Sequence, residues 1–221
     1  PAFAWELAIL VQHGIRRMFI EDQDELFYLM MYNEALPMPA RPELPDLEEG
    51  VIRGGYCFEP AVGEGPRINL LGSGTILFEV LEAASRLRQE GFAVAVYSIT
   101  SYIELARDAE QASSAAAPSW LSHLFSEANV PTIAASDYVR TLPRMIASWV
   151  PGPMVALGTD GFGMSERREA LRASTFKCRN FVTTCPFSKI LFDLKRPELE
   201  FFKSILKWRI TFILRMLNLL S

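Results

Sequence analysis

Cysteine is scarce in this chain. Cys57, Cys178 and Cys185 are odd in number and carry no metal-ligand spacing, which excludes a paired disulfide framework and a cysteine zinc site. Nothing resembles a signal peptide, so a reducing, cytoplasmic setting is expected. No uncharged apolar run approaches the roughly 20 residues that cross a bilayer, so no transmembrane span is expected. The first 176 residues contain no lysine at all: 13 arginines stand against 23 acids, a net −10. Residues 177–221 reverse this, with 5 lysines and 4 arginines against 3 acids, +6. Alanine stops at Ala173 and glycine at Gly163, while Phe, Leu, Ile and Lys crowd the tail. So abrupt a shift in composition predicts a change of coding origin near Ser174, which sequencing the locus would check. With an overall charge of −4, no nucleic-acid partner is expected.

What is present is a large apolar half, enough for a sizeable core. "PAFAWELAILVQHGIRRMF" places Ala4, Leu7, Ala8, Val11, Ile15 and Met18 on one helical face. "ELFYLMMYNE" reads as a buried, aromatic-rich strand. Pro37, Pro39, Pro42 and Pro45 then remove too many donors for helix or central strand, so an extended linker over 37–47 is predicted.

Beyond the linker, strand and helix alternate four times. "RINLLGS" precedes a helix over 75–90, "FAVAVYSI" precedes "SYIELARDAEQ", "PTIAASD" precedes "YVRTLPRMIASWV", and "PMVALGTDGFG" precedes "SERREALRAS". Such alternation with short loops predicts an α/β fold, a mainly parallel sheet with helices on both faces. Gly72 and Gly74 open the second half of a strand–turn–helix unit, as in a dinucleotide cradle. The third glycine of that fingerprint is Leu77, which favours a packed turn over a phosphate site.

Seven blocks then carry a resemblance: "VQHGIRRMF", "YNEALPMPA", "EEGVIRGGY", "LLGSGTI", "SITSYIELARD", "SDYVR" and "LGTDGFGMSERREALR". Their order and spacing resemble the homodimeric bacterial pyruvate dehydrogenase decarboxylating component, a thiamine-diphosphate enzyme of the transketolase group. The resemblance implies that residues 1–36 close the middle, pyrimidine-binding domain and that 48–173 form the transketolase-like carboxyl-terminal domain. Residues 174–221 are then a non-family tail. It also implies decarboxylation of pyruvate on thiamine diphosphate with magnesium and acetyl transfer to the lipoyl acyltransferase core of a complex. The family's cofactor-binding segments lie upstream of residue 1, so this chain alone is expected to bind no cofactor and to be inactive. It would supply packing and dimer contacts, either as a homodimer or with the missing amino-terminal domains. The "AEQASSAAAPS" stretch departs from the family's Trp, Asn and His-Pro segment, and His13 stands where the family usually has Asp. The competing reading is a non-catalytic α/β module that binds a small molecule or partner at the "LGSG" and "GTDGFG" loops.

No catalytic, cofactor or metal residue is assigned. Asp160, Gly161, Phe162 and Gly163 form the candidate functional loop, because α/β folds place functional groups after buried strands. Asp160 can equally cap the helix expected near Ser165. His13 and His123 are expected to be ordinary helix residues. Glu104, Arg107 and Asp108 are expected to form a helix-surface pair or a subunit contact. The tail from Leu199, with Lys203, Lys207, Arg209 and Arg215 among apolar residues, admits an interfacial membrane helix; foreign, aggregation-prone sequence is the favoured reading.

Overall fold

A computed structural model describes residues 1–32 and 35–158 of the chain. The loop Asp160–Gly163, the helix expected over 165–174, Cys178, Cys185 and the basic tail lie outside the described residues.

Five strands form one mixed sheet in the order β1-β3-β2-β4-β5, with β1 Gly55–Glu59, β2 Arg67–Gly72, β3 Ala93–Ile99, β4 Thr132–Ala135 and β5 Met154–Leu157. Four of them run parallel, in the register Leu70 beside Val96 and Ile133, and Ile133 beside Val155. The expected α/β architecture is therefore present. Strand β1 is antiparallel at the edge and carries a bulge between Cys57 and Glu59.

Strand β3 is buried along its whole length and apolar apart from Ser98, because both its faces are covered. Alternation in β3 sends Ala95, Tyr97 and Ile99 to one face. There they meet helices α4 (Tyr102–Ser114) and α5 (Trp120–Leu124) through Leu105, Ala109, Leu121 and Phe125. The opposite face carries α3 (Ile76–Gln89), whose Leu77 and Val80 close on Gly72. Ser101 caps α4 by accepting the Glu104 N–H at 3.2 Å, one of the donors left open at any helix start.

Helix α2 (Leu47–Arg53) and β1 were not foreseen. The helix ends at Gly54 with φ +103°, where a Cβ would lie 2.4 Å from the Ser101 carbonyl oxygen. Glycine alone permits that approach, and the Gly54 carbonyl in turn accepts the Thr100 and Ser101 N–H groups.

Helix α1 (Ala4–Ile15) forms as expected but turns a different face inward. Phe3, Glu6, Ile9 and Gly14 are buried, whereas Val11 and Ile15 of the expected stripe are 42 % and 50 % exposed. The helix is apolar nearly all round, so hydrophobicity alone could not choose. Glu6 chooses: one carboxylate oxygen accepts the Ala2 and Phe3 N–H groups, and the other accepts the Tyr56 hydroxyl at 2.7 Å and the Ser98 hydroxyl at 2.6 Å. Ile9 then packs on Leu47, Val51 and Tyr56, which seats α1 on α2 and the sheet.

Two further expectations fail. The segment expected as a buried strand from Glu25 joins no ladder among the described residues, and Leu26 and Tyr28 are 93 % and 83 % exposed. Strand propensity needs a neighbour, and none of the described strands lies beside it. The helix expected over 138–150 shrinks to α6 (Thr141–Arg144). Beyond it the N–H groups of Met145, Ala147 and Trp149 bond three residues back, a tighter winding that does not propagate.

Candidate functional site

The chain leaves β2 through α3 to reach β3 on one side, then crosses back to β4 on the other. The carboxyl ends of β2 and β4 therefore diverge at a switch point, the place where open α/β sheets hold ligands. Here the turn Gly72–Ser73–Gly74 faces Ser136–Asp137–Tyr138. Ser136 is fully buried and its hydroxyl accepts the Tyr138 N–H at 3.0 Å, which fixes the second turn. Asp137 follows as a carboxylate at the crevice mouth.

Tyr32 comes from far away in sequence to occupy this mouth. Its ring lies against Gly74, its hydroxyl donates to Asp137 Oδ2 at 2.9 Å, and Thr75 at the start of α3 also hydrogen-bonds the phenol. Burial, then the Asp137 carboxylate, pushes the Tyr32 phenol above its ordinary value. Nearby, the Tyr138 hydroxyl donates to Met30 Sδ at 3.3 Å. Burial pushes Tyr138 up to about 12, with the neighbouring Tyr32, Asp137 and Tyr28 adding to it.

Ser73, Thr100, Ser101 and Tyr102 line a cleft of about 1090 Å³ beside this mouth. Among the described residues, Ser73 Oγ, Tyr102 OH and Asp137 Oδ1 are buried without a hydrogen-bond partner. Such orphaned atoms are uncommon in folded proteins and cost free energy where they occur. The arrangement can bind and orient hydroxyl groups. Among the described residues no three His, Cys, Asp or Glu side chains stand close enough to share a metal ion.

Gly72 has a packing reason to be glycine. A Cβ there would sit 2.8 Å from the Leu77 Cα, so the glycine serves the close seating of α3 on β2. Leu77, where the fingerprint needs its third glycine, is itself fully buried.

The other candidates scatter. His13 meets the Phe27 ring edge-on at 5.8 Å between centroids, and the exposed His123 stacks on Trp120 at 4.8 Å. Arg107 pairs with Glu104 at 2.6 Å, the expected surface pair. Asp108 does something else: it accepts the Trp120 N–H at 2.6 Å at the start of α5 and faces Arg53 at 3.6 Å. Glu6, Tyr32 and Asp137 were missed. A lone acid in the first turn of an apolar helix was the available signal for Glu6, whereas nothing local marks Tyr32, whose partner is 105 residues away.

Residues 54–176 match the model of the transketolase-like TK C-terminal domain. The chain is similar to the pyruvate dehydrogenase E1 component of Corynebacterium glutamicum, 38 % identical over 183 residues, covering 78 % of this chain and 20 % of that one. It is 39 % identical over the same span to the E1 component of Pseudomonas aeruginosa, with the same coverage. It thus spans about a fifth of the length of the curated relatives it matches. Among solved structures, transketolase from Leishmania mexicana aligns with a TM-score of 0.39 and 22 % identity over 59 % of this chain and 17 % of that one. Among the described residues no helix is long and apolar enough to cross a membrane. With the family match spanning more than half of its length, the chain belongs to the transketolase-like C-terminal domain family.

Proposed function

We propose that this chain is the carboxyl-terminal part of a pyruvate dehydrogenase E1 component. The whole enzyme, in this reading, decarboxylates pyruvate on thiamine diphosphate with magnesium in the cytoplasm and acetylates lipoyl groups on an acyltransferase core. Residues 1–36 end its middle domain, 37–47 link, 48–173 are its carboxyl-terminal domain, and 174–221 are a tail foreign to it. The chain's own part is packing and dimer contact, and Asp160–Gly163 is its functional loop. The observation that carries this reading is the likeness to E1 components along 78 % of the chain. The exposed row Val11, Ile15, Phe19 and Ile20 supports it, since apolar side chains grouped on one side of a helix suit a protein partner.

Complementation tests it. The C. glutamicum E1 component shortened by the matched fifth should lack pyruvate decarboxylation. Adding this chain should restore turnover, and the Asp160→Ala chain should restore less. Calorimetric titration of thiamine diphosphate with magnesium should give heat in the mixture and none with this chain alone. No restoration and no heat in the mixture would refute the reading.

A further inference from the structure

Apart from any role in an E1 component, the segment Gln23–Tyr32 has the build of a strap. It joins no ladder among the described residues, and its Leu26, Tyr28 and Met31 side chains stand in solvent. Phe27 presses on Gly14 and His13 at one end. At the other end Tyr32 reaches Asp137, with Met30 accepting from Tyr138 beside it. Between these points the segment borders the cleft lined by Ser73, Ser101 and Tyr102. A stretch of four prolines follows, too stiff to collapse and without ladder bonds to hold it.

The cleft floor is where the fold leaves polar capacity unspent. Ser73 and Tyr102 are 7 % and 3 % exposed, and neither hydroxyl has a partner among the described residues. They stand at the entries of α3 and α4, two helices of 14 and 13 residues whose first N–H groups face the carboxyl end of the sheet. A floor of this kind under a segment held at two ends is the arrangement of a covered site.

We propose that Gln23–Tyr32 is a displaceable strap, latched by the Tyr32 hydroxyl on Asp137, that closes the cleft over Ser73 and opens when that latch is released. The latch is the Tyr32 hydroxyl, which bonds Asp137 and Thr75, while Phe27 and the Arg17–Glu25 ion pair hold the near end of the segment. Losing that hydroxyl shifts the closed–open equilibrium by about three- to tenfold, the scale of one net hydrogen bond. Asparagine at position 137 still offers an acceptor oxygen to the phenol, so it preserves the latch.

The test places a reporter under the strap. The full 221-residue chain carrying Ser73→Cys is treated with N-ethylmaleimide, and adducts at positions 73 and 57 are followed by peptide mass spectrometry. Tyr32→Phe should speed labelling at 73 about three- to tenfold and leave Cys57 on β1 unchanged, while Asp137→Asn should keep the native rate. Equal rates at 73 with and without Tyr32→Phe would overturn the proposal. So would a parallel rise at Cys57, which reports general loosening. Deuterium uptake in the chain that keeps Ser73 gives an independent reading: faster exchange over residues 23–32 in Tyr32→Phe is expected, and unchanged exchange there refutes the latch.

Discussion

Glu6 shows how one side chain can fix the orientation of an element. A buried carboxylate is tolerated when donors surround it, and Glu6 has four: two main-chain N–H groups and two hydroxyls. Truncation to alanine strands the Tyr56 and Ser98 hydroxyls in the interior. Glu6→Ala should therefore lower stability by about 3 kcal/mol, read from the urea midpoint. Cys57 makes a second prediction. Burial, then the Glu59 charge, pushes its thiol up to about 11, against roughly 8.5 in an unfolded chain. The raised value favours the protonated folded state, so this contribution is complete below about pH 8.5 and is lost as pH rises toward 11. Urea midpoints between pH 8 and 11 should fall less steeply in Cys57→Ser. The sequence disclosed neither residue's setting, because both depend on neighbours brought together by the fold.

Among the elements, the four parallel strands, α3 and α4 were legible because their apolar periods are long and bounded by turn residues. Helix α2 left signals, Glu48 and Glu49 at its start and Gly54 at its end, that the preceding prolines obscured. The segment from Glu25 misled because aromatic content signals a strand without saying whether a neighbour exists. For α1, the existence of the helix was readable and its inward face was not. That distinction is measurable. Ile9→Ala should cost about 2–4 kcal/mol, since Ile9 fills the space between Leu47, Val51 and Tyr56. Val11→Ser and Ile15→Ser, on the expected face, should each stay within about 0.5 kcal/mol.

Over the whole molecule, stability should be graded from the middle of the sheet outward. Strands β2 and β3 each pair on both sides and are roofed on both faces, whereas β1 pairs with β3 alone and is broken by its bulge. Amide exchange should therefore be slowest at Leu70, Leu71, Val94 and Val96 and faster by at least tenfold along β1; uniform exchange would contradict that gradient. Strand and helix alternation alone pointed to the carboxyl ends of the strands, and the packed character of the "LGSG" turn was readable from Leu77. The actual contents of the crevice were not, because Tyr32 and Asp137 meet across 105 residues and no short-range pattern encodes such a meeting.

The Glu6 carboxylate also sets a timetable for a chain leaving the ribosome. Its two hydroxyl partners follow 50 and 92 residues later. At about 5–20 residues per second, Ser98 emerges roughly 5–20 s after Glu6. A 12-residue helix is marginal by itself, so α1 lacks the contacts that hold it to α2 and the sheet until that interval has passed. Slower translation through β3 would lengthen the interval, and chaperone occupancy of the nascent chain should lengthen with it.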